Sequence, residues 1–295
     1  MVIPLYMNYI SKYIQHNIIE FMNQMINKIY PLGKKVARKA NNVYLNPVIS
    51  NINNNFKPLY YANFLKSLDG RIATYDKKND RLLTPSSIKN KIDFILFCQL
   101  HAQADCLVTN THYINGLNKG YYGDILSLND SYLDQWRDKN KIKQQKIIIL
   151  SNSLSFPIDK KIEKYKERIT ILTTSKNKKK LSTLKNNGYT VISYAGKNIS
   201  ENQLNNYVIK NKFKSVYFIA GPTIVEQMIS KNLLDRLYLS TSISMVGTEN
   251  YDSIIRGNFL KKSIKLELIE MYMYTKIENK EKEQTLFQVF NLKRK

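Results

Sequence analysis

The chain is predicted to be an α/β protein: a mixed, mostly parallel sheet with helices on both faces, preceded by an N-terminal helical extension. Three observations carry this. From Lys57 onward, short apolar runs of strand length alternate with segments of helical period. Two of the runs, Lys146 to Leu150 and Ile169 to Thr173, are nearly continuous aliphatics, as in strands buried on both faces. The tail, Ile264 to Thr275 and Gln284 to Phe290, alternates with period two and reads as an antiparallel hairpin.

In chain order, residues 1–56 read as an extension and linker, and residues 57–295 as the main domain. Ile10, Tyr13, Ile14, Ile18, Phe21, Met22, Met25, Ile26 and Ile29 recur three and four apart, which predicts an amphipathic helix. Pro31 and Gly33 end it, and the Asn-rich stretch Asn51 to Asn55 reads as the linker. Tyr60 to Thr74 begins as an aromatic and aliphatic strand and breaks at Ser67, Asp69 and Gly70. A helix over Ile88 to Ala102 leads to the strand Ala104 to Thr109, and Thr109 to Tyr113 reads as a loop. Ser131 to Lys141, with the single Trp136, reads as a polar linker. Leu181 to Asn187 is a short helix before the strand Tyr189 to Ser193, and Gln203 to Asn211 is a helix before the strand Ser215 to Ala220. Thr223 to Lys231 is the last helix, leading into the strand Arg236 to Thr241.

Composition narrows the function classes. The formal charge of +23 invites phosphate-backbone binding, but the lysines are spread along the chain with Asn, Ile and Tyr, which points to compositional drift rather than a nucleic-acid footprint. Cys98 and Cys106 lie in no CxxC or Cys/His pattern, so neither a disulfide scaffold nor a metal site is expected, and the compartment is read as cytoplasmic. No segment approaches the ~20 apolar residues of a membrane helix. The first 30 residues lack a signal-peptide pattern.

Two turns hold the candidate chemistry. Ser67 and Asp69 follow a strand, and ligands of open α/β sheets bind beyond the carboxyl ends of strands. Ser215 to Thr223 is a buried strand running into Ala220-Gly221-Pro222-Thr223 and then a helix, whose first amides suit a phosphate. On local pattern alone, an ordinary turn and plain helix initiation are the commoner readings of these residues.

The blocks FLKSLDGRIA, HAQADCLVTNTHYI, KIIILSNSLSFP and YFIAGPTIVEQMISKNLLDRLYLSTSISMVG occur in the order and spacing of the reductase domain of the riboflavin-biosynthesis protein RibD, which the chain resembles over about Lys57 to Gly257. The resemblance implies the dihydrofolate reductase-like fold and NADPH-dependent reduction of a phosphorylated ribosylamino-pyrimidine to its ribityl form. It places cofactor contacts on Thr109, Asn110, Tyr113, Ser151, Gly221, Pro222 and Thr223, and puts Ser67 and Asp69 beside the reacting centre. It also implies a homodimer. The zinc-deaminase signature His-x-Glu with Pro-Cys-x-x-Cys does not occur, so a separate deaminase is implied.

The chain departs from that pattern at contact positions. His101 stands where the family has a substrate-binding arginine, with Lys89 and Lys91 as the compensating cations. Tyr113 stands for a threonine, and Ile219 for the glutamate before the glycine turn. Two expectations therefore stand: an active reductase, or a reductase-fold binding module whose site is closed by Tyr113 and Ile219.

Overall fold

The structure, a computed structural model, describes residues 23–31, 37–52, 57–157, 160–255, 263–278 and 280–292. In chain order the elements are β1 (Met25–Tyr30), β2 (Ala37–Lys39), β3 (Leu59–Ser67), β4 (Ala73–Asp76) and β5 (Arg81–Leu83). Next come α1 (Lys91–Ala102), β6 (Cys106–Asn110), α2 (Thr111–Asn118), α3 (Ser131–Lys139), β7 (Lys146–Ser151), α4 (Lys160–Glu163), β8 (Ile169–Thr173), α5 (Lys178–Asn186) and β9 (Thr190–Ser193). They are followed by α6 (Glu201–Lys210), β10 (Ser215–Phe218), α7 (Pro222–Ser230), β11 (Arg236–Ser242), β12 (Tyr251–Asp252) and the hairpin β13 (Leu266–Glu278) and β14 (Glu281–Leu292).

The main sheet has the order β2-β1-β13-β14-β11-β3-β10-β6-β7-β8-β9. The seven strands from β11 to β9 are parallel. The hairpin and β1–β2 extend the sheet antiparallel at the β11 side. The mixed, mostly parallel sheet expected from the sequence is therefore present.

Because successive strand side chains point to opposite faces, each run fills two cores. Tyr60, Ala62, Phe64, Val108, Ile148, Leu172, Val216 and Phe218 pack beneath α6 and α7. Tyr61, Leu107, Ile147, Ile149, Ile171 and Tyr217 pack on the other face, against α1 to α5. Burial on both faces is why these strands lack polar alternation.

Three local expectations are corrected. Met25 to Tyr30 is a strand, not the end of a helix: Ile26 is buried while Met25 and Ile29 face outward, and Asn27 pairs with Met273 of β13. The open edge of β13 captures this β-branched segment, and that pairing overrides the three-and-four spacing. The rest of the expected helix, and residues 53–56 of the linker, lie outside the described residues. Ser131 to Lys139 is helical, because the Asp130 carboxylate caps it from the amides of Tyr132 and Leu133 while Leu133 and Trp136 pack on the core. Thr109 to Tyr113 is the end of β6 and the first turn of α2, with Asn110 as the cap.

Residues 37–52 are fastened to α1 by two buried amides. The Gln99 side chain accepts from Tyr44 N at 2.8 Å and donates to Ala40 O, and the Gln103 side chain accepts from Ile49 N at 2.7 Å and donates to Tyr44 O. Among the described residues no helix is long and apolar enough to cross a membrane.

Candidate active site

The parallel register puts the carboxyl ends of the strands on one rim. Ser67 pairs with Ser242, and Asn110 with Leu150 just before Ser151. A cleft of about 500 Å³ opens at the β6, β7 and β10 part of this rim, lined by Asn110, Asn152, Asn198 and the turn Gly221-Pro222-Thr223. Its floor is the amino terminus of α7. Gly221 is the N-cap residue and Pro222 opens the helix, so no side chain takes the first-turn amides. Those orphan N–H groups and the positive helix end face the cleft, which is what a phosphate needs.

The small sheet β12-β4-β5 roofs the cleft, contributing Arg81, Leu82 and Asp252. The turn after β3 holds this roof. Gly70 takes φ 88°, a conformation that suits glycine, and Asp69 is bound on all sides. The Ser67 hydroxyl donates to its carboxylate, Gly247 N donates at 2.9 Å, Val246 N donates at 3.3 Å, and Arg71 Nη1 lies at 3.3 Å. The Ser67 hydroxyl, then the two amides, then the Arg71 charge pull Asp69 down to about 2, so it stays ionised. The Arg71 guanidinium in turn lies over the Tyr251 ring at 4.3 Å, and Ile72 N donates to Asp252 O at 2.9 Å.

The structure brings Asn110, Gly221, Pro222 and Thr223 into one cleft. Ser67 and Asp69 hold the roof rather than the cleft wall; Ser67 is fully buried. Thr109, Tyr113 and Ser151 are buried behind the wall. Tyr113 OH donates to Gly123 O at 3.0 Å and accepts from Ile125 N at 2.9 Å, and Ser151 Oγ accepts from Leu154 N at 2.9 Å. These two side chains shape the loops that bound the cleft. Lys89 and Lys91 flank Asn90, which donates to Thr285 in the same row as Ser242 and Ser67. They share the rim but not the cleft.

His101 lies at the other end of the sheet, at the end of α1 before β6. Its Nε2 donates to Ile125 O at 3.0 Å, and Nδ1 accepts from Gln145 Nε2 at 3.2 Å. Burial first, then the Arg137 charge, pushes it down to about 3. A neutral, fully paired imidazole here is a core group, not a substrate contact. Ile219 is likewise a buried core side chain, 2% exposed.

The cleft is also lined by Arg81, His112, Asn152, Asn198 and Gln227, which no motif in the sequence singles out. His112 Nε2 lies 3.0 Å from Tyr122 OH, and both residues line the cleft. Asn152 Nδ2 donates to Asn198 Oδ1 at 2.9 Å, and its Oδ1 accepts from Ile199 N at 3.0 Å, joining two loops at the far end. Asn152 directly follows β7, which runs one residue beyond the predicted strand. Arg81 and Asn198 reach the cleft only through tertiary pairing.

The uncapped α7 terminus and the cleft beside it suit a phosphate-bearing ligand. Residues 58–276 match the family model of the RibD C-terminal domain. A pyrimidine reductase-like protein from Corynebacterium diphtheriae superposes with a TM-score of 0.65 at 17% identity, covering 87% of this chain and 99% of that one. Acinetobacter baumannii RibD gives 0.55 at 15% identity, covering 81% and 59%. The Thermotoga maritima diaminohydroxyphosphoribosylaminopyrimidine deaminase/5-amino-6-(5-phosphoribosylamino)uracil reductase gives 0.53 at 13%, covering 80% and 57%. This chain thus spans a little over half of those two proteins. No curated protein sequence matches it.

Proposed function

Because the chain belongs to the RibD C-terminal domain family, we propose that it is an NADPH-dependent reductase that converts the ribosyl group of 5-amino-6-(5-phosphoribosylamino)uracil to ribityl. The observation that carries this is the uncapped α7 amino terminus opening on a cleft at the carboxyl rim. Bound there, the dihydronicotinamide would supply hydride to C1 of the ring-opened imine, whose nitrogen would take a proton from solvent. The chain's part is binding and orientation. Gly221, Thr223 and the first-turn amides of α7 hold phosphate, and Asn110 borders the same wall. The Asn152–Asn198 pair bounds the far end, and the roof fastened by Asp69 limits water. Asp69, held at about 2, is a fastening group and not a proton donor at neutral pH.

Tyr113 and Ile219 are both buried outside the cleft, so neither plugs it. This favours the reductase over the binding module. Fluorescence titration with NADPH and NADH tests the reading on the parent and on Gly221→Phe. Micromolar binding that prefers NADPH and disappears in the folded variant is expected. Unchanged affinity in the variant rejects the α7 turn as the phosphate site.

A further inference from the structure

We propose that Arg81 is the phosphate-recognition side chain of the cleft, acting from the roof against the α7 amino terminus; the proposal rests on the dinucleotide reading above. Arg81 begins β5, an edge strand of the small sheet, and pairs in register with Asp76. Asp76 feels the Arg81 charge but accepts no hydrogen bond from Nε or Nη1. The Asp76 carboxylate accepts from Asn79 N and Nδ2, both at 3.1 Å. Arg81 Nε and Nη1 are buried with no hydrogen-bond partner among the described residues.

The guanidinium instead lies over the Tyr121 ring, 4.1 Å from its centroid. Stacking fixes the plane of the fork and desolvates one face. Asp252 lines the same cleft from β12, two strands away. A half-buried guanidinium, oriented by a ring and with two buried N–H groups unpaired, leaves donors that an anion in the cleft completes.

The anion it fits is a phosphoryl group. A planar fork matches two phosphoryl oxygens, and the α7 amides present further donors in the same cleft. Two ligands carry that group: the diphosphate of the dinucleotide and the phosphomonoester of the sugar substrate.

The test measures NADPH, reduced nicotinamide riboside, inorganic pyrophosphate and ribose 5-phosphate against the parent, Arg81→Met and Arg81→Lys. Affinities come from fluorescence for the nicotinamides and from thermal shift for the other two. Losing a charge-assisted fork weakens binding by ~10- to 100-fold. Arg81→Met is expected to lose that much for NADPH and pyrophosphate, with Arg81→Lys intermediate and the phosphate-free riboside unchanged. A loss confined to ribose 5-phosphate assigns the group to the substrate and also supports the proposal. Equal binding of both phosphate probes by parent and Arg81→Met overturns it. If Arg81→Met does not fold, parent-level pyrophosphate binding by Arg81→Lys overturns the fork. Arg81-dependent pyrophosphate binding without NADPH binding upholds the anion site while rejecting the dinucleotide reading. No binding of any probe by the parent rejects both.

Discussion

Replacing Gly116 with alanine places a methyl group where the Tyr122 ring already lies. A Cβ there stands 2.0 Å from both Cδ2 and Cε2 of Tyr122, whereas ordinary contact begins at 3.4 Å. The ring must therefore withdraw by more than 1 Å, and little around it yields. The amides of Tyr121 and Tyr122 donate to Gly116 O at 2.8 and 3.3 Å. The ring stacks on Tyr113 with centroids 6.2 Å apart, and its hydroxyl meets His112. Alanine gains about 1 kcal/mol of helix propensity. Overpacking costs about 1–3 kcal/mol, and the loosened turn adds to it. The net expectation is a loss of about 1–2 kcal/mol, or roughly 2–3 °C in Tm for a chain of this size. Since Tyr122 lines the cleft and Tyr121 carries Arg81, NADPH affinity should fall as well. Calorimetric melting and cofactor titration of the same variant provide the assay. Parent-like Tm and affinity would refute the argument that Gly116 sets the place of this ring.

Arg137→Met should cost about 3 kcal/mol, because Nη1 serves the carbonyls of Ala102 and Ala104 and Nη2 serves that of Lys143, all left unmet in the variant; urea unfolding measures it. Neutral, buried His101, held at about 3 against an ordinary 6.5, contributes stability that is complete above pH 6.5 and is lost as pH falls, amounting to about 2 kcal/mol by pH 5. Asp93, pushed up to about 6 by burial, works in the opposite direction over part of that range, so His101→Gln should be compared with the parent at pH 7 and pH 5. The variant should show the weaker acid sensitivity, and an identical pH difference would contradict the assignment. Removing residues 1–56 should lower the melting temperature or abolish soluble expression, because it strips β1, β2 and the backbone partners of Gln99 and Gln103. A truncated protein that melts like the parent would show that this segment carries no stability.

The parallel core was legible because its strands are buried on both faces and leave uninterrupted apolar runs, as at Lys146–Ser151 and Ile169–Thr173. β1 was not, since an edge strand takes its identity from the neighbour it pairs with, here β13. Nor were β4, β5 and β12, which at two to four residues carry no period. The site divides the same way. Asn110 ends β6 and Gly221 follows β10 within three residues, so chain order alone places them on the rim. Arg81 reaches the cleft through the small sheet, and no local pattern announces it. His101 sits in a motif that implied substrate contact, but α1 carries it to the opposite end of the sheet, against Ile125 and Gln145.

The most direct test of the central claim is turnover of 5-amino-6-(5-phosphoribosylamino)uracil with NADPH deuterated at the transferring C4 position. Cofactor oxidation and one deuterium at C1 of the ribityl chain are expected by mass spectrometry. Folded protein that leaves both cofactor and substrate unchanged would contradict it.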